Sequence, residues 1–316
     1  MKLSGLFACL CLCGVSLAHT NAPLSIAVIP KGTTHVFWKS IHAGARAAGA
    51  ELGVNVIWQG PYKEDDRKLQ IELVQNFISR GVHAIVLAPL DAAALVRPVR
   101  AARKRGITVV IIDSDLNAQE YSSFVATDNY KGGQLAAQRL AQVTGGTGDV
   151  LMLRYAEASA STMQREKGFL DGLAQHAPRM RVVSSDQYGG VTAESAMRVA
   201  QNLLNKYPKL SGIFCPNEST TFGMLRALQT AGRAGKTAFV GFDVSAALLA
   251  ALRAGELHGL IVQNPYQMGY QGVKTAVAAV RGEAVPPRID TGVAVVTADN
   301  LNEPHIQELV QPRYAE

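Results

Sequence analysis

Polar side chains that directly follow apolar runs are the groups of this sequence best placed to do chemistry. Asp113-Ser114, Asn217 and Asp243 each follow such a run, and Gln263 follows another. Carboxylates accept hydrogen bonds, whereas amides both donate and accept them. A mixed set of this kind suits a neutral polyhydroxylated ligand, because each hydroxyl group also donates and accepts.

Four further residues extend this candidate binding set. Arg165 would add a guanidinium donor, and His35 lies shortly after the first apolar run. Phe37 and Trp38 come next, and their rings could cover the C–H face of a sugar ring. Structural roles are the alternative, since an aspartate after a strand can cap a helix and the two aromatics could be core residues that open one. The recurrence of polar groups at corresponding positions favours binding.

Catalysis finds little support in the sequence. His35 is the histidine of the candidate set, and no motif places a serine or cysteine nucleophile beside it. Neither H-x-x-x-H nor C-x-x-C spacing, which would indicate a metal site, occurs after the amino-terminal segment. Two carboxylates could form a glycosidase pair, but they lie among neutral donors suited to binding. We therefore predict a binding protein that is not an enzyme and that needs no cofactor or metal.

Short apolar runs alternate with segments whose apolar residues recur every three or four positions. This alternation indicates buried parallel strands separated by helices. Candidate strands cover residues 25–30, 54–58, 84–88, 108–113, 149–153, 182–184, 212–215, 238–241 and 259–262. We predict an α/β fold of two doubly wound parallel-sheet lobes. The candidate residues would then collect at the carboxyl ends of the strands, with a ligand in the cleft between the lobes.

The composition of the whole chain excludes several classes of protein. It has 316 residues, of which 48% are hydrophobic and 18% are charged, and its net charge is +6. A disordered protein would be less apolar, and the four cysteines are too few for a disulfide scaffold. The length favours two domains. Acidic and basic residues are interspersed, so no basic stripe for nucleic acid is indicated.

The amino-terminal segment predicts export. Lys2 precedes an almost wholly apolar run over residues 6–17, which is shorter than the ~20 residues that a membrane-spanning helix needs. Cleavage is expected after Ala18 or Ala22, which defines a signal peptide over residues 1–22 and a periplasmic mature chain. The cysteines of this segment form no well-placed lipobox, so no lipid anchor is expected.

Four motifs of the mature chain resemble a known family. They are Thr127-Asp128-Asn129-Tyr130-Lys131-Gly132-Gly133, Arg165-Glu166-Lys167-Gly168-Phe169, Leu225-Arg226-Ala227-Leu228-Gln229-Thr230-Ala231-Gly232 and Val240-Gly241-Phe242-Asp243. In this order they make the chain similar to the periplasmic sugar-binding proteins of the ribose-binding type. The resemblance implies two lobes joined by a three-crossover hinge, residues 23–126 with 264–292 and residues 127–263 with 293–316. It also implies that the lobes close on a sugar or polyol, and that an inner-membrane ABC permease receives it.

The resemblance also assigns roles to individual residues. It implies ring stacking by Phe37 and Trp38, carboxylate contacts from Asp113 and Asp243, a guanidinium contact from Arg165, and amide contacts from Asn217 and Gln263. His35, Ser114 and Ala88 stand where the family has an asparagine, an arginine and an amide. Ribose, another pentose, a hexose and a polyol therefore all stay open as ligands. Tyr188 is the candidate for a further aromatic contact from the second lobe.

Two other functions share this fold. Repressors of the lactose type carry a helix-turn-helix ahead of it, and here the first strand starts too close to the signal peptide for such a module. Nucleic acid is therefore not an expected partner. A secreted receptor that signals to a chemoreceptor or histidine kinase, or that binds a sugar-like autoinducer, stays open, because ligand-driven closure serves transport and sensing alike. We expect a monomer.

Overall fold

The computed structural model describes residues 22–311. The predicted signal peptide lies outside the described residues apart from its last residue, Ala22. The first elements are β1 Ser25–Ile29, α1 Val36–Leu52, β2 Asn55–Trp58, α2 Arg67–Arg80, β3 Ala84–Leu87, α3 Val96–Lys104, β4 Thr108–Ile112 and β5 Ser123–Ala126. They are followed by α4 Asn129–Thr144, β6 Thr147–Met152, α5 Ala160–His176, β7 Arg179–Ser184, α6 Ala193–Lys206, β8 Gly212–Phe214, α7 Glu218–Thr230, β9 Ala238–Phe242, α8 Ala246–Arg253, β10 Gly259–Gln263, α9 Pro265–Val280, β11 Arg288–Asp290, β12 Val293–Val296 and α10 Pro304–Val310.

The strands form two six-stranded sheets, one in each lobe. The amino-terminal lobe has the strand order β11-β5-β4-β3-β1-β2, and all its neighbouring strands run parallel. The carboxy-terminal lobe has the order β12-β10-β9-β8-β6-β7, in which β12 runs antiparallel to β10. The predicted α/β class with two parallel-sheet lobes is confirmed, with β12 as an antiparallel edge strand.

Helices cover both faces of each sheet, which is why the central strands are continuously apolar. In the amino-terminal lobe, α2 and α3 pack on one face and α1 and α9 on the other. In the carboxy-terminal lobe, α4 and α5 cover one face, while α6, α7, α8 and α10 cover the other. Each lobe therefore has a core on both sides of its sheet, and the carboxyl ends of its strands are left to form a binding surface.

Within the described residues, the chain passes between the two sheets three times: after β5, after β10 and after β11. The first and last of these segments are joined by hydrogen bonds. The Thr127 hydroxyl donates to the Gly292 carbonyl at 3.1 Å, and the Asp128 amide donates to Asp290 Oδ1 at 3.3 Å. Two of the three connections between the lobes thus lie side by side.

Three strands are absent from the sequence-based prediction. β5 has only two large apolar residues, Phe124 and Val125, so its run is too short to stand out. β11 has three residues that are exposed or half-buried, and most of β12 is half-buried. All three complete their sheets through backbone pairing, which leaves little trace in side-chain hydrophobicity.

Candidate functional site

A cavity lies between the carboxyl ends of the two sheets, with walls from both lobes. Its lining consists of Lys31, His35, Phe37, Trp38, Glu64, Asp113, Tyr155, Ser159, Ser161, Thr162, Arg165, Asn217, Glu218, Asp243 and Gln263. All of the candidate binding residues except Ser114 are among them. Ser114 is fully buried, and its hydroxyl accepts a hydrogen bond from the Ser161 amide at 3.0 Å. It therefore connects the two lobes behind the cavity wall.

The two aspartates occupy equivalent positions in the two lobes. Asp113 follows β4 with φ 61°, and Asp243 follows β9 with φ 66°. Their amides donate to the neighbouring strand, at Val125 O (3.1 Å) and Ile261 O (2.8 Å). A left-handed conformation is unfavourable for residues other than glycine, and such strain concentrates at functional positions. Here it turns the chain out of the sheet so that each carboxylate lies on the cavity wall.

Lys31 provides the positive charge beside Asp113. Its ammonium lies 3.0 Å from Asp113 Oδ2, and both side chains are about nine-tenths buried or more. The same ammonium donates to the hydroxyls of Ser159 (3.3 Å) and Ser161 (3.1 Å), which belong to the other lobe. Lys31 therefore compensates the Asp113 carboxylate and also joins the lobes.

Arg165 lies in the second turn of α5, and not at a strand end as predicted. Its Nε donates to Asn129 Oδ1 at 2.8 Å, its Nη1 donates to Pro216 O at 2.9 Å, and its guanidinium stacks 4.0 Å from the Phe242 ring. Nη1 also lies 3.9 Å from Asp243 Oδ2. These contacts fix the buried guanidinium against the cavity wall.

Two glycines allow α5 to bring Arg165 to this position. A Cβ atom at Gly133 would lie 2.0 Å from the Arg165 carbonyl oxygen, and one at Gly168 would lie 2.0 Å from the Tyr130 carbonyl oxygen. Any side chain there would force α4 and α5 apart. The glycines in two of the motifs named above thus have a packing role that sets the location of the guanidinium.

Asp243 is held by its neighbours as well. Gln263 Nε2 donates to Asp243 Oδ1 at 2.7 Å. Burial raises the pKa of Asp243, and the Arg165 guanidinium opposes that shift. The carboxylate is therefore paired on one side, while the Gln263 Oε1 atom beside it is buried without a hydrogen-bond donor.

The aromatic wall comes from both lobes. Phe37 and Trp38 open α1 and form an edge-to-face pair with ring centroids 4.9 Å apart. Trp38 Nε1 donates to Glu64 Oε1 at 2.8 Å, and the Tyr155 hydroxyl donates to Glu64 Oε2 at 2.8 Å. Burial beside Glu64 raises the pKa of Tyr155 well above its usual value, so its hydroxyl stays a donor. His35 Nδ1 lies 3.3 Å from the same carboxylate.

The contact suggested between Tyr188 and the ligand stays a prediction. Tyr188 does not line the cavity; its side chain is 37% exposed and its ring lies against the Arg154 guanidinium at 5.7 Å. The carboxy-terminal lobe contributes Tyr155 instead. Tyr155 comes soon after β6, whereas Tyr188 follows the edge strand β7, which lies at the far end of the sheet from β12.

Asn217 and Glu218 begin α7. Asn217 caps the helix, since its Oδ1 accepts from the Thr220 amide at 3.3 Å while its Nδ2 donates to Ser219 Oγ at 3.1 Å. The structural alternative raised for strand-end residues thus holds for Asn217, although it also lines the cavity. Burial, together with the nearby negative charges of Asp243 and Glu64, raises the pKa of Glu218 to about 8.

Sequence reasoning missed several cavity residues. Lys31, Tyr155 and Glu218 all follow strands closely, so the same strand-end rule would have found them. Glu64 lies in the loop between β2 and α2, where no local pattern marks it.

Among residues 22–311, no helix is both long enough and apolar enough to cross a bilayer. No three histidine, cysteine or acidic side chains cluster as metal ligands within that part of the chain.

Comparison with known proteins identifies the family. The sequence profile described as "Periplasmic binding protein domain" matches residues 26–284. The chain belongs to this family. The D-ribose/D-allose-binding protein of Pseudomonas aeruginosa is 31% identical over 93% of this chain and 95% of its own length. The ribose import binding protein RbsB of Escherichia coli is 28% identical over 93% of this chain and 98% of its own length.

A solved structure supports the same assignment. A carbohydrate transporter solute-binding protein of Agrobacterium radiobacter, in complex with D-arabinose, superposes with a TM-score of 0.88. It is 35% identical, and the match covers 92% of this chain and all of the other. The resemblance to periplasmic sugar-binding proteins of the ribose-binding type is confirmed. The predicted function is also confirmed at the level of the family: it is that of a sugar-binding solute-binding protein of an ABC transporter. The family is a substrate-binding and non-catalytic type of protein.

Proposed function

We propose that this protein captures a single monosaccharide or polyol between its lobes and delivers it to an inner-membrane ABC permease. The observation that carries the proposal is the polar wall of the cavity. Two aspartates at equivalent strand ends, one guanidinium and two amides converge on it from both lobes, beside the Phe37–Trp38 aromatic pair. Such a wall offers each hydroxyl of a sugar a partner and offers the ring an apolar face.

The relatives named above support a single sugar as the ligand. According to their names they bind ribose, allose or arabinose, which are monosaccharides.

Binding would act by shifting the balance between open and closed lobes. A ligand that touches Asp113 in one lobe and Arg165 and Asp243 in the other makes its full set of contacts only when the lobes meet. The ligand therefore binds the closed form more tightly than the open form, and this difference in affinity shifts the balance towards closure. The closed form would be the one that the permease recognises.

The same cavity could serve a receptor that signals to a chemoreceptor or histidine kinase. Ligand capture and closure would be identical, and the partner at the membrane would differ.

The proposed function includes four further expectations: export through a cleaved signal to the periplasm, a monomeric state, no nucleic-acid partner and no catalysis. Mass spectrometry of the exported chain would test cleavage after Ala18 or Ala22.

A thermal-shift screen tests the binding function. We expect at least one of the pentoses, hexoses and polyols to raise the melting temperature in proportion to its concentration, because a ligand that binds only the native state stabilises it by mass action. Sugars hydrolysed or modified during incubation would indicate an enzyme. If none of the panel raises the melting temperature, the proposed function fails.

A further inference from the structure

Glu218 is a cavity residue with no evident structural task. It is the first residue of α7, and its Oε2 atom is buried with no hydrogen-bond donor in the protein. Its backbone amide donates to the Asp243 carboxylate, which holds the start of the helix against the second aspartate of the site. A buried carboxyl oxygen without a partner is unfavourable, so its presence on a cavity wall calls for a donor from outside the protein.

The other three carboxylates of the cavity are already compensated. Asp113 pairs with Lys31 at 3.0 Å. Asp243 accepts from Gln263 and lies 3.9 Å from the Arg165 guanidinium. Glu64 accepts from Trp38 Nε1 and from the Tyr155 hydroxyl, with His35 at 3.3 Å. Glu218 is the carboxyl of this wall that no cation or hydroxyl donor of the described residues reaches.

The donors of the wall are largely committed to protein acceptors. The Lys31 ammonium donates to the hydroxyls of Ser159 and Ser161 and forms an ion pair with Asp113. The buried atoms of the wall that lack a hydrogen-bond donor are acceptors instead, namely Asp113 Oδ2, Glu218 Oε2 and Gln263 Oε1. Of these, Asp113 Oδ2 has the Lys31 ammonium beside it at 3.0 Å. This end of the cavity therefore requires a ligand that brings hydrogen-bond donors.

We propose that Glu218 is a ligand-binding residue that sets the charge class of the ligand. It accepts a hydrogen bond from a hydroxyl or ammonium group of the sugar, and it excludes sugars that carry a carboxylate there. This inference rests on the proposed function and refines it, since it selects neutral and basic sugars over sugar acids.

The protonation of Glu218 follows from the same geometry. Its pKa is raised to about 8 by burial and by Asp243 and Glu64. The other titratable or charged groups that line the cavity are Asp113, Lys31, Arg165, His35 and Tyr155. A ligand donor at Oε2 stabilises the ionised form and lowers the pKa again, so binding near pH 7.5 releases a fraction of a proton.

Calorimetry on the wild type and on Glu218→Gln tests the proposal, with Glu283→Gln as the control. Glu283 is exposed and outside the cavity. The probes are D-arabinose, D-fucose and D-galactose, with D-galactosamine and D-galacturonate as the charged counterparts of the last. Glu218→Gln should bind the strongest neutral sugar about tenfold more weakly, as expected when a hydrogen bond to a charged group is replaced. Glu283→Gln should bind it as the wild type does.

The charged probes give a second readout. The wild type should bind D-galacturonate at least tenfold more weakly than D-galactose, and Glu218→Gln should narrow that gap. Two results would overturn the inference while leaving the proposed function intact. One is a loss of affinity for the neutral sugar of less than fivefold in Glu218→Gln. The other is a wild type that binds the acid more tightly than the neutral sugar. A wild type that binds no probe counts against the proposed function itself.

A third measurement has its deciding result on the wild type, so that result does not depend on whether a variant folds. Binding heats of the strongest neutral sugar are compared in phosphate and Tris buffers near pH 7.5, which differ in their enthalpies of ionisation. A difference that shows proton release is the expected result, and Glu218→Gln should remove it. Equal heats in the two buffers for the wild type would contradict the role given to Glu218.

Discussion

Asp113 and Asp243 show how a single residue can carry both the geometry and the chemistry of a site. Each holds a left-handed backbone conformation at the end of a central strand, and each has a cationic partner. The partners come from different places, since Lys31 follows β1 and Arg165 lies within α5. The two lobes thus repeat the carboxylate but differ in the cation that balances it.

Replacing Asp243 by alanine should weaken sugar binding by about ten- to a hundredfold. The change removes an acceptor and leaves Arg165 buried without its carboxylate partner, and an unsatisfied buried group of this kind costs about 1–3 kcal/mol. Isothermal titration with the strongest sugar of the screen measures the effect. Asp299→Ala is the matched control, because Asp299 is exposed and outside the cavity. Unchanged affinity in Asp243→Ala would remove Asp243 from the binding set.

At the scale of elements, the segment that precedes and opens α5 joins the lobes. The Ala158 carbonyl accepts from the Ala92 amide at 3.1 Å, and Ala158 itself has φ 63°. Ser159 and Ser161 accept from Lys31, and the Ser161 amide donates to Ser114. These contacts cross the cleft, so they exist only while the lobes touch. The left-handed conformation of Ala158 thus occurs at a point of contact with the opposite lobe.

The double variant Ser159→Ala/Ser161→Ala should release bound sugar faster than the wild type. It removes two acceptors of the Lys31 ammonium but keeps the Lys31–Asp113 pair, so the closed form loses stability while the amino-terminal wall is retained. We expect a rise in the dissociation rate of about five- to 150-fold, from two hydrogen bonds of about 0.5–1.5 kcal/mol each. Stopped-flow fluorescence measures the rate, with exposed Ser79→Ala as the control. An unchanged rate would show that these contacts do not stabilise closure.

The elements also explain what could be predicted from the sequence. The alternation of apolar strands with helices identifies the fold, and the strand-end rule places Asp113, Asn217, Asp243 and Gln263 on one cavity. The strand-end rule does not identify Glu64, because this residue lies in the loop between β2 and α2, and the loop brings it back to the cavity. Partners such as Lys31 for Asp113 depend on which strands are neighbours, and that order is a property of the assembled sheet.

At the scale of the whole molecule, the two lobes repeat a histidine at the start of a strand. His83 Nδ1 accepts from the Ser25 amide at 3.0 Å, and His258 Nδ1 accepts from the Phe239 amide at 3.1 Å. Each histidine thereby completes the pairing of the strand beside it. A protonated imidazole cannot accept at Nδ1, so the contact of His258 requires the neutral ring.

Acidification should destabilise the protein partly through His258. Burial and the nearby Arg139 lower the pKa of His258 in the folded protein. The unfolded chain therefore binds more protons, and this contribution to the free energy of unfolding is present above about pH 6.5 and is lost as the pH falls. Urea midpoints at pH 7.5 and pH 5 should differ less for His258→Gln than for the wild type. The control is His305→Gln, because His305 is exposed. If the pH dependence of His258→Gln equals that of the wild type, His258 does not contribute to the loss of stability in acid.

The passage of the chain between the sheets has a consequence for biogenesis. The amino-terminal lobe contains β11 and α9, and α9 covers one face of its sheet against α1. A nascent chain cannot complete the burial of that face until residue 280 has been synthesised, although α1 and β1 to β5 are complete by residue 126. The amino-terminal lobe is thus the first to be synthesised, but it needs late segments of the chain to complete its fold. A polypeptide whose early half cannot complete its fold ahead of its late half stays unfinished for most of its synthesis, and the export that we propose would act on a chain in that state.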